Sequence, residues 1–587
     1  MTAKKHRGLT HRFFHYLHNL PNSDRLLVTL LLSTVVATGL WSILTVSASH
    51  TTAVSVAGGM ITEGIIGTPR FVNPVLATTR ADRDLSTLIY SGVATINERG
   101  ELVPDLAESI ERSDDGLVYT ITIRPDVTFH DGTPLTAADV VFTYNLIQNE
   151  ELKSPLRGNW SNVAVEQIDD HTLTLTLGSA YAPFVENLTT GILPAHLWRT
   201  HQLAEIPFSR LNINPIGSGP FKLRDVQTNT QGIITGYQLT SFSEYQPQPH
   251  LSVVHIRFYT EPMDVYNALR DGTITSSPDV PLDLLRNLED DFHVITSALP
   301  RLFGVFFNQN RSVSLRDSAV REALDLAIDR TAIVEHVLYG YGMPTHDPVP
   351  LGFGTVYLPG ASTTTSPYGD TEKAETVLRA GGWQKVNEGH WERTIDNDRV
   401  ILAITLRTLN DPRFEQTAEL IARAWRAIGV EVQIEQYEQA DLLRSVIRPR
   451  DFEAVLFGID VSRSVDLYPF WHSSQQTDPG LNIAQYANIT ADQQLEILRT
   501  ETDNEQRAEA LNILIDTIRT ERPALFLYTP SFTYVTTRKQ VTGPIPLLGG
   551  SHDRWRRVVD WHTEQESLWP LFHSRSIEKD LTQNGND

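Results

Sequence analysis

The chain has 587 residues, of which 41% are hydrophobic and 20% charged, a composition typical of a globular protein several times larger than one domain. Its 71 acidic and 49 basic residues give a formal charge of −22, which disfavours nucleic-acid binding because a phosphate backbone would be repelled. The lack of cysteine excludes disulfides, thiol catalysis, cysteine-ligated metals and a lipid-modified cysteine anchor.

An uncharged stretch from Leu26 to Val46 is long enough to cross about 30 Å of hydrocarbon as a helix. It follows a basic segment, residues 1–25, and positive flanks of this kind stay in the cytoplasm. The alternative is a cleaved signal peptide that ends near Val46-Ser47-Ala48. Both interpretations place the main body outside the cytoplasm, after a flexible tether over residues 47–59.

Residues 119–142 predict a strand, a turn and a capped helix in direct succession. The first five alternate between apolar and polar side chains, as in a half-buried strand, and a second short strand is predicted over 127–130. Asp131-Gly132 supplies a turn, and Thr136 with Asp139 forms a capping box, so a helix should begin directly after Thr136. Because every residue has a folding role, we interpret this block as scaffold.

Residues 214–221 read Asn-Pro-Ile-Gly-Ser-Gly-Pro-Phe and predict a tight turn. A phosphate-binding loop is a poor alternative, because the Lys-Ser/Thr pair is missing and Pro220 lacks a backbone donor. Further along, helices are predicted over 371–380, 414–428 and 504–520, and strands over 400–406 and 430–434. Strand, helix and strand at this spacing imply a βαβ unit.

The block at 119–142, the turn at 214–221 and the segment Asp317–Arg330 resemble, in this order, the family 5 extracellular solute-binding proteins. The resemblance covers roughly residues 60–560. It implies an α/β fold of the periplasmic-binding-protein type II, with two large mixed α/β lobes, an extra smaller lobe and a hinge, here preceded by one N-terminal transmembrane helix. The implied ranges are lobe I, 60–92 with 206–300 and 525–565; lobe II, 93–205; lobe III, 301–524; and a polar tail, 566–587.

The same resemblance implies a monomeric receptor without cofactor or catalysis, with its binding domain outside the cell membrane, and the stretch Leu26–Val46 would anchor it there. It would capture oligopeptides or dipeptides and deliver them to the permease and ATPase of an ABC importer. Two alternatives remain: a peptide sensor without transport, and a binding protein for a nickel complex, an opine or a sugar. A secreted hydrolase is more remote, since neither an H-E-x-x-H nor a G-x-S-x-G motif is present.

In peptide-binding members, an Asp in the segment that corresponds to residues 452–474 pairs with the peptide ammonium. Here Asp460 lies two residues after Gly458 and Ser462 stands at the usual spacing, so Asp460 and Asp466 are both candidates, with Asp466 preferred. The aromatic residues that follow could wall a pocket, and a peptide backbone would add to strand edges near 63–67 and 305–308. The further predicted ligand contacts are Tyr468, Phe470, Trp471, Phe307, Asn308, Gly64, Ile65 and Gly67, and no metal ligand is predicted.

Overall fold

The computed structural model describes residues 21–50, 52–55, 57–97, 100–353, 369–386, 389–543, 545, 547–563 and 565–568. These residues form two compact units. The first unit combines residues before 57 with residues after 563, and the second spans 57–563. We keep the names lobe I, lobe II and lobe III for the residue ranges given above.

The first unit contains helix α1, Asn22–His50, and strand β1, Thr52–Ser55, which pairs antiparallel with β23, Gln565–Leu568. The predicted span Leu26–Val46 lies within α1. Among the residues that the structure describes, no helix combines the length and the apolar character needed to cross a membrane. The end of α1 and β1 occupy most of the predicted tether, and residues 1–20 of the predicted basic segment lie outside the described residues.

The block at 119–142 folds largely as predicted. Strand β6, Val118–Ile123, buries the apolar member of each alternating pair, and helix α3, Ala137–Gln148, begins with the predicted capping box of Thr136 and Asp139. The predicted strand at 127–130 is wrong. The segment folds back on itself around the turn, with one isolated bridge between Thr128 and Pro134, and no neighbouring strand pairs with it.

Lobe II is built on a four-stranded antiparallel sheet of order β5-β6-β8-β7. Its three other strands are β5, Ala107–Arg112; β7, Val163–Gln167; and β8, Thr172–Leu177. Helix α4, Ala195–Trp198, and a 3-10 segment, Ala182–Thr189, follow the sheet. Strands β3, Ala94–Ile96, and β4, Leu102–Pro104, form a separate pair.

A large mixed sheet runs through lobes I and III in the order β20-β19-β21-β14-β22-β12-β2-β11-β10-β9, with β13 and β15 also paired to β22. Its long strand β22, Ala524–Thr537, pairs with strands of lobe III through its first half and of lobe I through its second half. The other strands are β2, Met60–Ile66; β9, Phe221–Thr228; β10, Ile234–Ser241; β11, Val253–Tyr259; β12, Ser276–Ser277; β13, Phe292–Ala298; β14, Arg301–Phe307; β15, Gly342–Pro344; β19, Ala403–Leu409; β20, Glu431–Tyr437; and β21, Ala454–Asp460.

Lobe III contains the predicted βαβ unit, because β19 and β20 pair in parallel across helix α10, Pro412–Ala427. Strands β16, Gln384–Lys385; β17, Trp391–Ile395; and β18, Asp398–Ile401, form a small antiparallel sheet. The remaining described helices are α2, Arg80–Ile89; α5, Pro262–Arg270; α6, Val313–Arg316; α7, Ser318–Ala327; α8, Arg330–Val337; α9, Thr371–Ala380; α11, Gln439–Asp441; α12, Tyr468–Trp471; α13, Ile489–Thr500; and α14, Asn504–Glu521.

The apolar side chains are buried in several separate cores. The largest core joins lobe I to lobe II and includes Ile61, Tyr119 and Trp160, together with Trp555 near the end of the second unit. Two further cores lie in lobe III. One contains residues 491–498 and 508–518, and the other contains residues 320–338 and 418–428. Lobes I and II therefore share one hydrophobic core, whereas the two cores of lobe III also take in residues 525–528 at the start of β22.

Candidate functional site

Lobes II and III meet at the carboxylate of Asp466. Tyr181 of lobe II donates its hydroxyl to Oδ2 at 3.0 Å, and Arg499 of lobe III donates to both oxygens, from Nε at 3.1 Å and from Nη2 at 2.7 Å. The Arg499 guanidinium also lies 5.2 Å from the Tyr181 ring centre and 4.1 Å from that of Tyr468. The charge of Asp466 is thus matched inside the protein, and its carboxylate bridges the two lobes.

A cleft of about 920 Å³ opens beside this bridge, and we call it the Tyr181 cleft. One wall comes from lobe II and the other from the aromatic and charged side chains of α12 and α13. Its lining consists of Gly158, Asn159, Ser161, Asn162, Val163, Leu177, Gly178, Ser179, Ala180, Tyr181, Phe184, Tyr468, Glu496, Arg499 and Thr500.

A second cleft, of about 340 Å³, lies where lobe I, lobe II and residues 551–560 come together, and we call it the Glu186 cleft. Helix α2 of lobe I supplies a guanidinium and two hydroxyls, lobe II supplies one carboxylate, and the 3-10 segment Ser551–Asp560 supplies an imidazole and a second guanidinium. Its lining consists of Pro74, Ala77, Arg83, Ser86, Thr87, Tyr90, Leu156, Glu186, Asn187, Thr189, Thr190, Gly191, His552 and Arg556.

Asp553 links lobe III to this second cleft. Its carboxylate forms a buried ion pair with Arg463 of lobe III and accepts a hydrogen bond from Arg556 Nε at 2.5 Å. The backbone N–H groups of Gly549 and Gly550 also donate to it, at 2.8 and 3.1 Å. Burial opposes ionisation of Asp553, but the neighbouring charges outweigh burial and hold its pKa below the usual value.

Glu186 differs from these paired groups, because no hydrogen bond or ion pair to a described residue engages its carboxylate. Burial raises its pKa to about 7, against the attraction of Arg463 and Arg556 and with the added repulsion of Asp553. Glu186 is therefore a half-buried acid that faces a cleft and titrates near neutral pH.

A fully buried ionic cluster supports the lobe I side of the site. Arg554, which is 0% exposed, donates to both carboxylate oxygens of Asp84 at 2.8 Å and also to Glu63. Tyr534 of β22 donates its hydroxyl to Glu63 Oε2 at 2.7 Å. Burial raises the pKa of Glu63 despite the adjacent guanidinium. The cluster ties β2, α2 and β22 to the segment that carries Asp553 and Arg556.

A sequence model of the bacterial extracellular solute-binding proteins, family 5, matches residues 101–480. The chain belongs to this family. It is 28% identical over 484 residues to the oligopeptide-binding protein AppA of Bacillus subtilis, covering 81% of this chain and 87% of that protein. It is 24% identical to the dipeptide-binding protein of Escherichia coli, covering 83% and 92% of the two chains.

Solved structures place this family 5 protein in a mixed α/β, periplasmic-binding-protein-like fold. The structure of Bacillus subtilis AppA in complex with a nonapeptide aligns with a TM-score of 0.65 at 26% identity, over 87% of this chain and 100% of that one. NikZ from Campylobacter jejuni in complex with Ni(L-His) aligns with a TM-score of 0.66 at 25% identity, over 86% and 99%. The family is one of solute-binding proteins, which implies a binding role rather than a catalytic one.

The predicted contacts around Asp466 divide between the cleft and the core of this family 5 protein. Asp466 bridges the lobes as described, and Tyr468 lines the Tyr181 cleft. Asp460 is exposed and pairs with Arg301 at 3.3 Å. Phe470 is partly buried against a lobe III core, and Trp471, which is 0% exposed, packs within that core. Complete burial removes Trp471 from the walls of both clefts.

The predicted strand edges are not open. Strand β14 is paired on both sides, to β21 and β22, and its residue Phe307 is buried in a core. Asn308 is also buried, and its side chain donates to the Arg450 carbonyl at 2.7 Å. These residues therefore serve the fold of lobe III.

Strand β2 is likewise an interior strand, paired to β11 along its length. On its other side, Gly64 O accepts from the Ser277 hydroxyl and Ile66 N donates to Asp279, both at 2.8 Å. Ile65 is buried in the largest core. Gly67 follows the strand, is exposed and has φ of +91°, so of the three predicted residues it alone lies at the surface.

Sequence reasoning missed the residues that surround the Glu186 cleft. Glu186, Arg463, Asp553 and Arg556 come from three distant segments. Of these, only Arg463 lies in a segment, 452–474, for which a ligand contact was predicted, and it was not itself predicted as one. A usable signal was present at residues 551–560, where acidic and basic residues cluster beside two tryptophans, a composition that is unusual for a solvent-facing surface.

Proposed function

We propose that the chain captures short peptides outside the cytoplasmic membrane and delivers them to the permease of an ABC importer. The main support for this proposal is the Glu186 cleft of about 340 Å³. Carboxylate, guanidinium and hydroxyl groups from lobes I and II line it. A volume near the lower end of the range of about 300–1,000 Å³ for ligand sites suits a small polar solute.

Peptide ligands are supported by the relatives. The matched proteins of Bacillus subtilis and Escherichia coli are named for oligopeptide and dipeptide binding, and the AppA structure holds a nonapeptide. A peptide carries one ammonium and one carboxylate, and both signs of charge are present in the lining of the Glu186 cleft. Binding there requires no bond to break, so the peptide leaves chemically unchanged.

Closure supplies the mechanism of capture. Lobe III does not line the Glu186 cleft but reaches its edge through the Arg463–Asp553 pair. A ligand that contacts Arg556 beside Asp553 therefore stabilises the arrangement with lobe III closed by its differential affinity. The Tyr181 and Arg463 contacts join lobe III to lobes I and II in the described structure. We propose that they form as the lobes close and break when the permease receives the peptide.

Retention at the membrane is a further part of the proposal, made from the uncharged stretch Leu26–Val46 and its basic flank. Determination of the N-terminus of the mature protein tests it. A mature chain that keeps residues 26–46 and sediments with the membrane supports an anchor, whereas a chain that starts near residue 49 contradicts it.

Native mass spectrometry of the full chain, mixed with randomised pools of peptides from two to nine residues, tests the binding function. Adducts of peptide mass that are released intact support it. Adducts of nickel complexes or sugars alone would move the protein to the alternative solute class, and shortened peptides would indicate a hydrolase. Loss of labelled-peptide uptake in cells without the chain separates import from sensing.

A further inference from the structure

The Glu186 carboxylate is an acid without a partner inside a ligand-sized cleft. No described residue donates a hydrogen bond to it or forms an ion pair with it, although it is half-buried. A buried charge is costly unless a cation or donor meets it. The other acids near this junction, Asp466 and Asp553, each have guanidinium partners.

Glu186 lies among charged groups of both signs. Arg463 and Arg556 both pair with Asp553, so two cations share one anion. The more distant Asp466 is matched by Arg499. Arg463 and Arg556 favour an ionised Glu186, but burial outweighs their attraction. A ligand cation placed beside Glu186 would offset that cost of burial.

The same cleft also offers donors to an anion. Arg556 uses Nε for Asp553 and Nη1 for the Thr189 carbonyl at 3.4 Å, and among the described residues no acceptor meets its Nη2. Arg83 is exposed and donates to the protein through Nη2, to the Thr78 carbonyl at 2.8 Å. Of the two hydroxyls on the same helix, α2, that of Thr87 already donates to the Arg83 carbonyl at 2.9 Å, whereas that of Ser86 meets no partner among the described residues.

Resting on the proposed function, we infer that Glu186 receives the ammonium of a short zwitterionic peptide whose carboxylate faces Arg556 and Arg83 in the same cleft. A zwitterion adds one cation beside Glu186 and one anion beside the guanidiniums, so the charge of the cluster stays unchanged. The volume of about 340 Å³ limits the ligand to a peptide short enough for both ends to lie in one cleft.

This assignment differs from the prediction that Asp460 or Asp466 holds the ammonium. Asp466 accepts two hydrogen bonds from Arg499 and one from Tyr181, and Asp460 lies at the surface beside Arg301. A ligand ammonium would have to displace a guanidinium from either one. At Glu186 it meets a carboxylate that the described residues leave unpaired.

The test uses the full chain and three matched pools of randomised di- and tripeptides: unmodified, N-acetylated and C-amidated. Calorimetry gives the affinity of each pool for the wild type, Glu186→Gln, Asp466→Asn and, as a control, Glu415→Gln on the exposed face of α10. The wild type should prefer the unmodified pool over the acetylated pool by roughly ten- to hundredfold, the range for a hydrogen bond to a charged group. In Glu186→Gln this preference should disappear.

The outcomes separate the inference from the function on which it rests. Loss of the preference in Glu186→Gln, with the preference kept in Asp466→Asn and Glu415→Gln, supports Glu186 as the ammonium partner. An unchanged preference in Glu186→Gln, or loss in Asp466→Asn alone, overturns the inference and leaves peptide binding intact. No binding of any pool by the wild type overturns the proposed function itself.

Discussion

The hydroxyl of Tyr181 in lobe II donates to the Asp466 carboxylate of lobe III at 3.0 Å, and Arg499 holds the same carboxylate from the lobe III side. Asp466 is therefore held by its own lobe as well as by lobe II. A hydrogen bond to a charged group contributes roughly 1.5–3 kcal/mol, which is enough to bias an equilibrium between two lobe arrangements.

Tyr181→Phe removes this donor and keeps the aromatic ring beside Arg499. We expect the ligand-free chain to populate a more separated arrangement of lobes II and III, because one contact between the lobes is lost. A fluorescence pair with one dye on each lobe measures the change. Tyr468→Phe is the matched control, since the hydroxyl of Tyr468 contacts Ser474 within lobe III. Equal distances in both variants would contradict the bridging role.

Arg554→Met tests the buried cluster of lobe I. The substitution leaves Glu63 and Asp84 without their cation in a fully buried position, so the free energy of unfolding should fall by about 3–5 kcal/mol. Urea unfolding measures the loss. Arg399→Gln, which removes a side chain that is 70% exposed, should change the unfolding midpoint little. Similar losses of unfolding free energy in the two variants would show that the buried cluster contributes no more to stability than an exposed ion pair.

Glu186→Gln should stabilise the chain at alkaline pH. The carboxyl has a folded pKa of about 7 against an ordinary value of 4.5, so ionisation opposes folding above pH 7 and has no effect below about pH 4.5. We expect a gain on the order of 1–3 kcal/mol at pH 8 that shrinks as the pH falls from 7 to 4.5. Unfolding midpoints at pH 8 and pH 5 measure it, with Glu415→Gln as the control. A gain that is equal at both values would exclude titration of Glu186 as its cause.

Gly217→Ala tests the turn that returns the chain from lobe II to lobe I. A Cβ at this position would lie 2.0 Å from the Ile89 carbonyl oxygen, which also accepts the Gly219 N–H at 2.8 Å. We expect a destabilisation of at least about 1–3 kcal/mol, measured by thermal unfolding. A Cβ on Gly158 meets nothing within 4 Å, so Gly158→Ala should be nearly neutral. A neutral Gly217→Ala would contradict the close approach.

His130 of the block at 119–142 holds the same turn, which explains why this block is scaffold. Its Nε2 contacts the Gly219 carbonyl at 2.9 Å, and its backbone N–H donates to the Gly217 carbonyl at 2.8 Å. Burial lowers the pKa of the imidazole to about 4, so the ring is neutral at pH 7. Stability contributed by this ring is lost as the pH falls from about 6.5 to 4, because protonation favours the unfolded chain.

The capped helix α3 and the βαβ unit of lobe III could be predicted because each depends on residues close in sequence. The Asp139 carboxylate accepts from both the backbone N–H and the hydroxyl of Thr136, at 2.9 and 3.0 Å, and these contacts depend on one turn of chain. The strand edges were mispredicted for the opposite reason. Whether β2 or β14 has a free edge depends on β11, β21 and β22, which are up to several hundred residues away.

The candidate site could not be predicted from the sequence for a similar reason. Glu186 differs from the other acidic residues of the site only because no described residue forms a hydrogen bond or ion pair with its carboxylate. That depends on the fold, which pairs Arg463 and Arg556 with Asp553 instead. Asp466 was a candidate because it lies in the segment 452–474, but its position there does not reveal that Arg499 neutralises it. Local patterns encode elements, whereas the pairing of charges across lobes is decided by the folded chain.

Hydrogen exchange of the full chain, with and without a saturating pool of unmodified di- and tripeptides, tests most directly whether a peptide is held between the lobes. We predict slower exchange on peptide addition in segments of three lobes: residues 83–90 of lobe I, 186–191 of lobe II and 462–468 of lobe III, together with 549–556. Unchanged exchange throughout, or protection confined to one lobe, would contradict capture by closure.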